Sequence, residues 1–263
     1  MKIAERFRLE GRIAFISGAA GHLGRSMAWA LGEAGAQLIL NGRNAERLYA
    51  LKSELAGQGI AADCAAFDVT DLAHVRAFFA HLTRLDILIN NAVTMKPKSF
   101  AQVSDEDFDL TYRSAVTAAF EAVRAARPAL THAVREAGDA SVINIASMYA
   151  HASPDPKLYN EPGQMSPPHY GAAKAGLIQL TRHLAAELGP LRIRVNAISP
   201  GPFPRDEVKA RDAEFAGRLA SRTMLGRTGH TDEIGGPVLL LASPASSFVT
   251  GTVLMVDGGW TGW

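Results

Sequence analysis

Short apolar runs alternate along the chain with longer stretches in which apolar residues recur every three to four positions. Residues 12–17 read as a first buried strand, and residues 37–41 as a second. Between them Leu23, Met27, Ala30 and Leu31 fall at helical spacing, which predicts a helix over 22–34. Leu48, Leu51 and Leu55 predict another over 44–56. Further strands are expected at 62–67, 85–90, 141–146, 192–198 and 252–256. Helices fill most of the gaps, notably 107–124, 170–188 and 231–241. Strands that alternate with helices and are apolar throughout imply a parallel sheet covered on both faces. Right-handed crossovers leave few ways to wind it. The expectation is an α/β fold: one domain over 1–263, a Rossmann-type doubly wound parallel sheet of about seven strands. Two segments break the rhythm, a proline-rich polar stretch near 153–168 and a long excursion over 200–223. Long loops after strands are where such sheets keep their ligands.

Composition narrows the function classes. The chain has 263 residues, 48% hydrophobic and 20% charged, which is ordinary for a water-soluble domain. A formal net charge of +1 gives no basic footprint for nucleic acid or an anionic membrane. The single cysteine, Cys64, forms no disulfide within the chain, and no histidine has metal-ligand spacing. The start lacks the apolar core of an export signal, and no run of about 18 apolar residues exists. A cytoplasmic protein without metal, nucleic-acid or membrane partners is expected.

The first strand runs into Ser17-Gly-Ala-Ala-Gly-His-Leu-Gly24, and a helix begins at once. Glycines at Gly18, Gly21 and Gly24 let a backbone approach a diphosphate, and the helix N-terminus offers free N–H groups. His22 and Leu23 complete the turn; His22 either helps bind phosphate, caps the helix or is merely exposed. The second strand closes at Asn41-Gly-Arg43, with Arg43 lying 19 residues after Gly24. An acidic residue near that point would bind a free ribose 2′-hydroxyl, whereas a guanidinium suits a 2′-phosphate. None of the residues 38–44 is acidic, so NADP is expected in preference to NAD, against the alternative that Arg43 is simply solvated.

Tyr170-Gly-Ala-Ala-Lys174 opens a helical stretch and puts both side chains on one face. A lysine charge about 4 Å from a phenol contributes about 4 kcal/mol at an effective dielectric of about 20. That would draw the tyrosine from its ordinary value of about 10 toward neutrality, where proton transfer is most effective. Alone, such a pair is a weak signal. In this chain it follows the glycine turn, Asp68-Val69, Asn90-Asn-Ala92 and Ser147, and precedes Pro200-Gly201 and the ending Val256-Asp-Gly-Gly-Trp260. In that order, over essentially the whole chain, these motifs resemble the short-chain dehydrogenase/reductase family. Within the family the sequence resembles the gluconate 5-dehydrogenase and 3-oxoacyl-carrier-protein reductase groups, and Asn41-Gly-Arg43 and Ser199-Pro-Gly-Pro-Phe203 are similar to the former.

The resemblance implies an NADP(H)-dependent oxidoreductase that interconverts a secondary alcohol and a ketone, with a polyol, sugar acid or 3-oxo compound as substrate. Tyr170 would exchange a proton with the substrate oxygen. Lys174 would lower the tyrosine pKa and hold the nicotinamide ribose, and Ser147 would orient the substrate. The glycine turn from Ser17 would cradle the diphosphate. Asp68 and Val69 would flank the adenine, Asn91 and Ala92 the adenosine-side ribose, and Pro200 and Gly201 the nicotinamide. Family members are commonly tetramers, and the apolar tail at Trp260 and Trp263 fits burial against another subunit. Four departures stand out. His22 occupies a usual glycine position, and Val93 replaces the glycine after Asn-Asn-Ala. Ala115 falls where many members carry a catalytic asparagine, with Ser114 as one possible substitute. The interval from Ser147 to Tyr170 is longer than usual, and its insertion should lie over the substrate side, where His151 and His169 flank it. Rival readings are an NAD(H)-preferring enzyme of the same family and a non-catalytic member that senses cofactor.

Overall fold

In a computed structural model that describes residues 2–263, a seven-stranded parallel sheet runs in the order β3-β2-β1-β4-β5-β6-β7. The strands are β1 (Ile13–Ile16), β2 (Gln37–Gly42), β3 (Ala62–Ala66), β4 (Ile87–Asn90), β5 (Ala140–Ile145), β6 (Ile193–Pro200) and β7 (Val253–Val256). Alternate residues of the central strands point to opposite sides, and both sides are apolar. Ala14, Ile16, Ile87, Ile89, Ile143 and Ile145 join one core, together with α1 (His22–Glu33) and α2 (Ala45–Ala56). Phe15, Leu88 and Val142 join the other, against α3 (Leu72–Ala80). Burial on both faces is why these strands read as continuous apolar runs.

Every expected strand is present, most of them shorter by a residue or two. The 85–90 segment begins later, at Ile87, and just before it stands Asp86. Its fully buried carboxylate accepts from Arg12 at 3.2 Å, from Arg84 at 2.9 Å and from the Ile13 backbone N–H at 3.0 Å. The helix expected over 107–124 is longer and interrupted. It comprises α4 (Asp105–Tyr112), a π-turn (Arg113–Thr117) and α5 (Ala118–Ala137). Pro128 does not stop α5: it sits on the exposed side, while Val123, Ala126, Leu130 and Ala133 bury the opposite face. Tertiary burial here outweighs the local penalty of proline. Gly138, at φ +89°, ends the helix in the left-handed conformation.

After β5 come α6 (Pro168–Leu188), then α7 (Asp206–Arg211) and α8 (Ala213–Ser221) within the 200–223 excursion, and α9 (Gly235–Ala242). Strand order reverses between β1 and β4, so their C-terminal ends diverge and leave a crevice, the usual ligand position in such sheets. The chain end corrects one expectation. Trp260 is buried within its own chain, beside Met148, Leu158 and Leu219, and is not held for another subunit. Trp263 alone of the pair is exposed, at 73%, with its indole N–H donating to the Arg222 carbonyl. No described helix is long and apolar enough to cross a membrane.

Removing the Asp86 carboxylate would strand the Arg84 guanidinium and a backbone N–H, while Arg12 would keep only Asp139 and its neighbouring carbonyls. Asp86→Ala should therefore lower unfolding stability by about 3 kcal/mol, read as a shift in the urea midpoint.

Candidate active site

The turn after β1 is shaped by backbone approach. Gly18 has φ +65°, and a Cβ on it would lie 2.9 Å from the Asn91 side-chain nitrogen. A Cβ on Gly24 would lie 2.2 Å from the Gly18 carbonyl oxygen. The two loops across the crevice are tied together by Ser17 and Asn91. The Ser17 hydroxyl accepts from the Asn91 and Ala92 N–H groups at 2.9 and 3.0 Å and donates to the Ile89 carbonyl at 3.2 Å. The Asn91 amide donates to the carbonyls of Ser17 and Gly18 at 3.0 and 3.2 Å.

A cleft of about 690 Å³ opens from this point along the strand ends. Gly18, Gly21, His22 and Leu23 line it at the turn, with Arg43, Asp68 and Val69 at one end. Asn91, Ala92, Pro200 and Gly201 line its middle, and Ser147, Tyr170 and Lys174 its deep end. Of the expected catalytic and cofactor-binding residues, only Ser17 and Gly24 do not border it; both support the turn from behind. Sequence reasoning missed Arg47, Phe203, Arg205, Thr94 and Met95 as lining residues. Arg47 was legible in principle, one helical turn beyond Arg43 on the first turn of α2. Arg205 was not, because only the fold brings the 200–223 excursion to the glycine turn. Asp68 is the one carboxylate among the described lining residues, and Arg43 lies 3.8 Å from it.

The deep end joins two elements. Ser147 follows β5, and its hydroxyl accepts from the Tyr149 N–H at 3.2 Å. Tyr170 and Lys174 project from α6, which a buried chain of polar groups fixes against the sheet. Asn90 donates to Asn144 at 2.9 Å, Asn144 to Thr181 at 2.9 Å, and Thr181 to the Leu177 carbonyl at 2.8 Å.

The expected electrostatics need correcting. The Tyr170 phenol is held above its ordinary value by burial, offset in part by a hydrogen bond with Ser147. Lys174 does not draw it down. Its Nζ is 5.7 Å from the tyrosine ring centre and donates to the Ile145 carbonyl at 2.5 Å. Burial also lowers the lysine itself to about 8. The earlier expectation assumed a permanent ammonium beside the phenol oxygen, whereas both groups here are desolvated and the ammonium faces a carbonyl. The phenol is thus kept protonated.

Comparisons with known proteins agree with this geometry. A family model described as enoyl-(acyl carrier protein) reductase matches residues 18–261. Gluconate 5-dehydrogenase of Gluconobacter oxydans is 34% identical over 267 residues, covering 99% of each chain. 5-Keto-D-gluconate 5-reductase of Escherichia coli is also 34% identical, over 96% of each chain. A solved gluconate 5-dehydrogenase from Burkholderia cenocepacia, in complex with NADP and tartrate, superposes with a TM-score of 0.86 at 33% identity over the full length of both chains. The chain belongs to the short-chain dehydrogenase/reductase family.

As a member of this family of oxidoreductases, the chain explains its departures structurally. His22 is neither a helix cap nor simply exposed: its Nε2–H donates to the Phe203 carbonyl at 2.9 Å, joining the glycine turn to the loop after β6. Val93 lines the cleft directly. Ala115 sits in the π-turn, 3% exposed, packed with Val116, Ala119, Ala173 and Leu177. Ser114 beside it is bonded to backbone. Its hydroxyl accepts from the Thr94 N–H at 3.0 Å and donates to the Thr111 carbonyl at 3.1 Å, so it holds the 94 loop.

The insertion lies beside the cleft and contributes none of its described lining residues. Tyr159 meets the Tyr149 hydroxyl at 2.6 Å, and Arg218 of α8 donates to the Leu158 carbonyl at 2.8 Å and to Asn160 at 2.9 Å. His151 bonds Ser199 at 3.0 Å and His169 bonds Thr111 at 2.9 Å, and neither borders the cleft.

Burying Lys174 has a pH signature. Its pKa falls from 10.5 unfolded to about 8 folded, so between those values the unfolded chain binds more protons. Stability from this group is therefore lowest below pH 8 and recovers as pH rises through 10.5. Relative to Lys174→Met, which cannot titrate, the wild type should gain about 3 kcal/mol between neutral and strongly alkaline pH. Paired chemical-denaturation series across that range would measure it.

Proposed function

We propose that this chain is an NADP(H)-dependent dehydrogenase/reductase that interconverts a secondary alcohol and a ketone. The observation that carries the reading is one continuous cleft with Ser147, Tyr170 and Lys174 at its deep end and Arg43 and Arg47 at the other. The site fits a dinucleotide. Its glycine turn leaves backbone exposed where a Cβ would collide, and the helix behind it presents free N–H groups. Two guanidinium groups at the end of β2 suit a 2′-phosphate better than a bare ribose. The bound cofactor supplies or accepts the hydride.

The chain's own residues handle the oxygen and its proton. In the reducing direction Ser147 donates a hydrogen bond to the carbonyl oxygen and orients it. Tyr170, kept protonated by burial, gives its phenolic proton to the developing alkoxide. Lys174 holds the nicotinamide ribose, the Ser147 hydrogen bond steadies the phenolate that results, and solvent later restores the proton. Oxidation runs the same steps backwards. Asp68 and Val69 flank the adenine, Asn91 and Ala92 the adjoining ribose, and Pro200 and Gly201 the nicotinamide.

A polyol, sugar acid or 3-oxo compound is the substrate class. Support comes from the named relatives and from the tartrate in the Burkholderia complex. A homotetramer is the proposed assembly. Phe108, Tyr112 and Phe120 are exposed along α4 and α5 at multiples of four residues, a stripe suited to a neighbouring copy. Ala115 is the feature that favours a cofactor-binding member without turnover; the intact serine–tyrosine–lysine trio opposes it.

Two measurements test the reading. Titration against intrinsic fluorescence should show NADPH binding at least about tenfold more tightly than NADH, the worth of one charge-assisted contact. A preference for NADH would overturn the assignment of Arg43 and Arg47. Tyr170→Phe should cut turnover of a carbonyl substrate by about a thousandfold or more while NADPH binding stays close to wild type. Persisting turnover would place the proton donor elsewhere.

A further inference from the structure

The loop after β4 is held in two halves. Asn91 and Ala92, the first half, are bonded to Ser17. Val93, Thr94 and Met95, the second half, line the cleft, and the pairing of Asn90 with Asn144 sets them beside Ser147, which follows β5. Both backbone polar groups of Thr94 are taken by side chains. Its N–H donates to Ser114 at 3.0 Å, and its carbonyl accepts from the Thr111 hydroxyl at 3.0 Å. That hydroxyl also lies 2.9 Å from Nδ1 of His169, the residue before Tyr170 on α6. A carbonyl only accepts, and a hydroxyl carries one proton. Both contacts of Thr111 are therefore hydrogen bonds when Nδ1 of His169 is protonated and donates to it. Thr111 and His169 are each 1% exposed. The remaining nitrogen, Nε2, is buried with no partner among the described residues. Burial holds the imidazole below its ordinary pKa and so keeps Nε2 bare, and the two charges that act on it, Asp107 and Lys98, are paired with each other.

We propose that His169 is a positioning residue for the substrate: through Thr111 it fixes the Val93–Met95 wall of the cleft beside Ser147, independently of the Ser17 contacts that hold the cofactor half of the same loop. The inference rests on the carbonyl-reducing reading above. Thr111 lies in the last turn of α4, Ser114 in the π-turn that follows, and His169 in the first turn of α6. The clasp thus joins three segments far apart in sequence and ends one residue from the tyrosine. Hydrogen bonds fix a wall in direction as well as distance, and inside a dry core they resist displacement more than apolar contact does. The accuracy matters, because a misplacement of about 1 Å at a reacting centre costs as much as a hundredfold in rate. His169 touches neither the cleft nor the reacting atoms, and its effect passes through Thr111.

Thr111→Val and His169→Leu each remove one member of the clasp, whereas Thr111→Ser keeps the hydroxyl and His169→Asn keeps an N–H near the Nδ1 position. Reduction would be followed through nicotinamide absorbance with a panel of 3-oxo esters, ketoses and keto acids, and NADPH affinity by calorimetry. Thr111→Val and His169→Leu should each lower kcat/KM about tenfold, the worth of one buried hydrogen bond, and leave NADPH affinity at the wild-type value. The double variant should lose no more than either single one, because the two residues act as a unit. Thr111→Ser and His169→Asn should restore most of the activity. Backbone hydrogen exchange over residues 93–98 should quicken in Thr111→Val and His169→Leu, while exchange over 17–24 stays as in wild type. Unchanged kcat/KM in the two disruptive variants, additive losses, an equal loss of NADPH affinity, or no recovery in the conservative variants would each overturn the proposal and leave the carbonyl-reducing reading standing. Failure of the wild type to reduce any member of the panel would overturn that reading and the proposal with it.

Discussion

The clasp between Ser17 and Asn91 is the contact on which the rest of the site depends. It sits where the strand order reverses, and it closes the end of β1 onto the end of β4 through five hydrogen bonds. Gly18 can take its left-handed turn only with a partner loop that leaves room for it, and the Asn91 amide fills the space that a side chain there would need. The turn, the start of α1 and the floor of the cleft follow from this junction. Neither residue needs to touch a ligand with its side chain for the site to need it.

The deep end imposes the opposite demand. Lys174 is 2% exposed and Tyr170 is packed deep enough that its phenol resists ionisation. Buried ionisable groups disfavour the folded state, and the fold offsets that cost with fully satisfied polar contacts. The run Asn90–Asn144–Thr181 carries one such chain from β4 through β5 into α6, and sets the rotation of the helix that bears both residues. The desolvation that destabilises Lys174 also keeps the tyrosine protonated. The expected coupling between them was a simpler picture than the one the geometry supports.

The excursion after β6 and the insertion before α6 form one structural unit beside the cleft. Trp260, Met148, Leu158 and Leu219 make a small core between them, and Arg218 bonds the insertion's backbone. Residues that a linear reading treats as separate loops therefore brace each other. They hold the base of α7 and with it Arg205, while His22 fixes the preceding loop to the glycine turn.

Periodicity determined the sheet and its strand count, and the resemblance carried by motif order singled out Ser147, Tyr170 and Lys174. Those signals are local: apolar alternation is set by burial on two faces, and an i, i+4 pair shares a helix face wherever the helix lies. The same locality made Gly18, Gly21 and Gly24 readable, because backbone crowding within one turn demands glycine. What only tertiary structure decided is what side chains far apart in sequence do to one another. Examples are the helix that runs through Pro128, Trp260 folded inward, His22 bonded to Phe203, and Lys174 turned to the Ile145 carbonyl. Each depends on how much water is excluded and which partner is near. Those quantities are properties of packing, and no spacing along the chain encodes them.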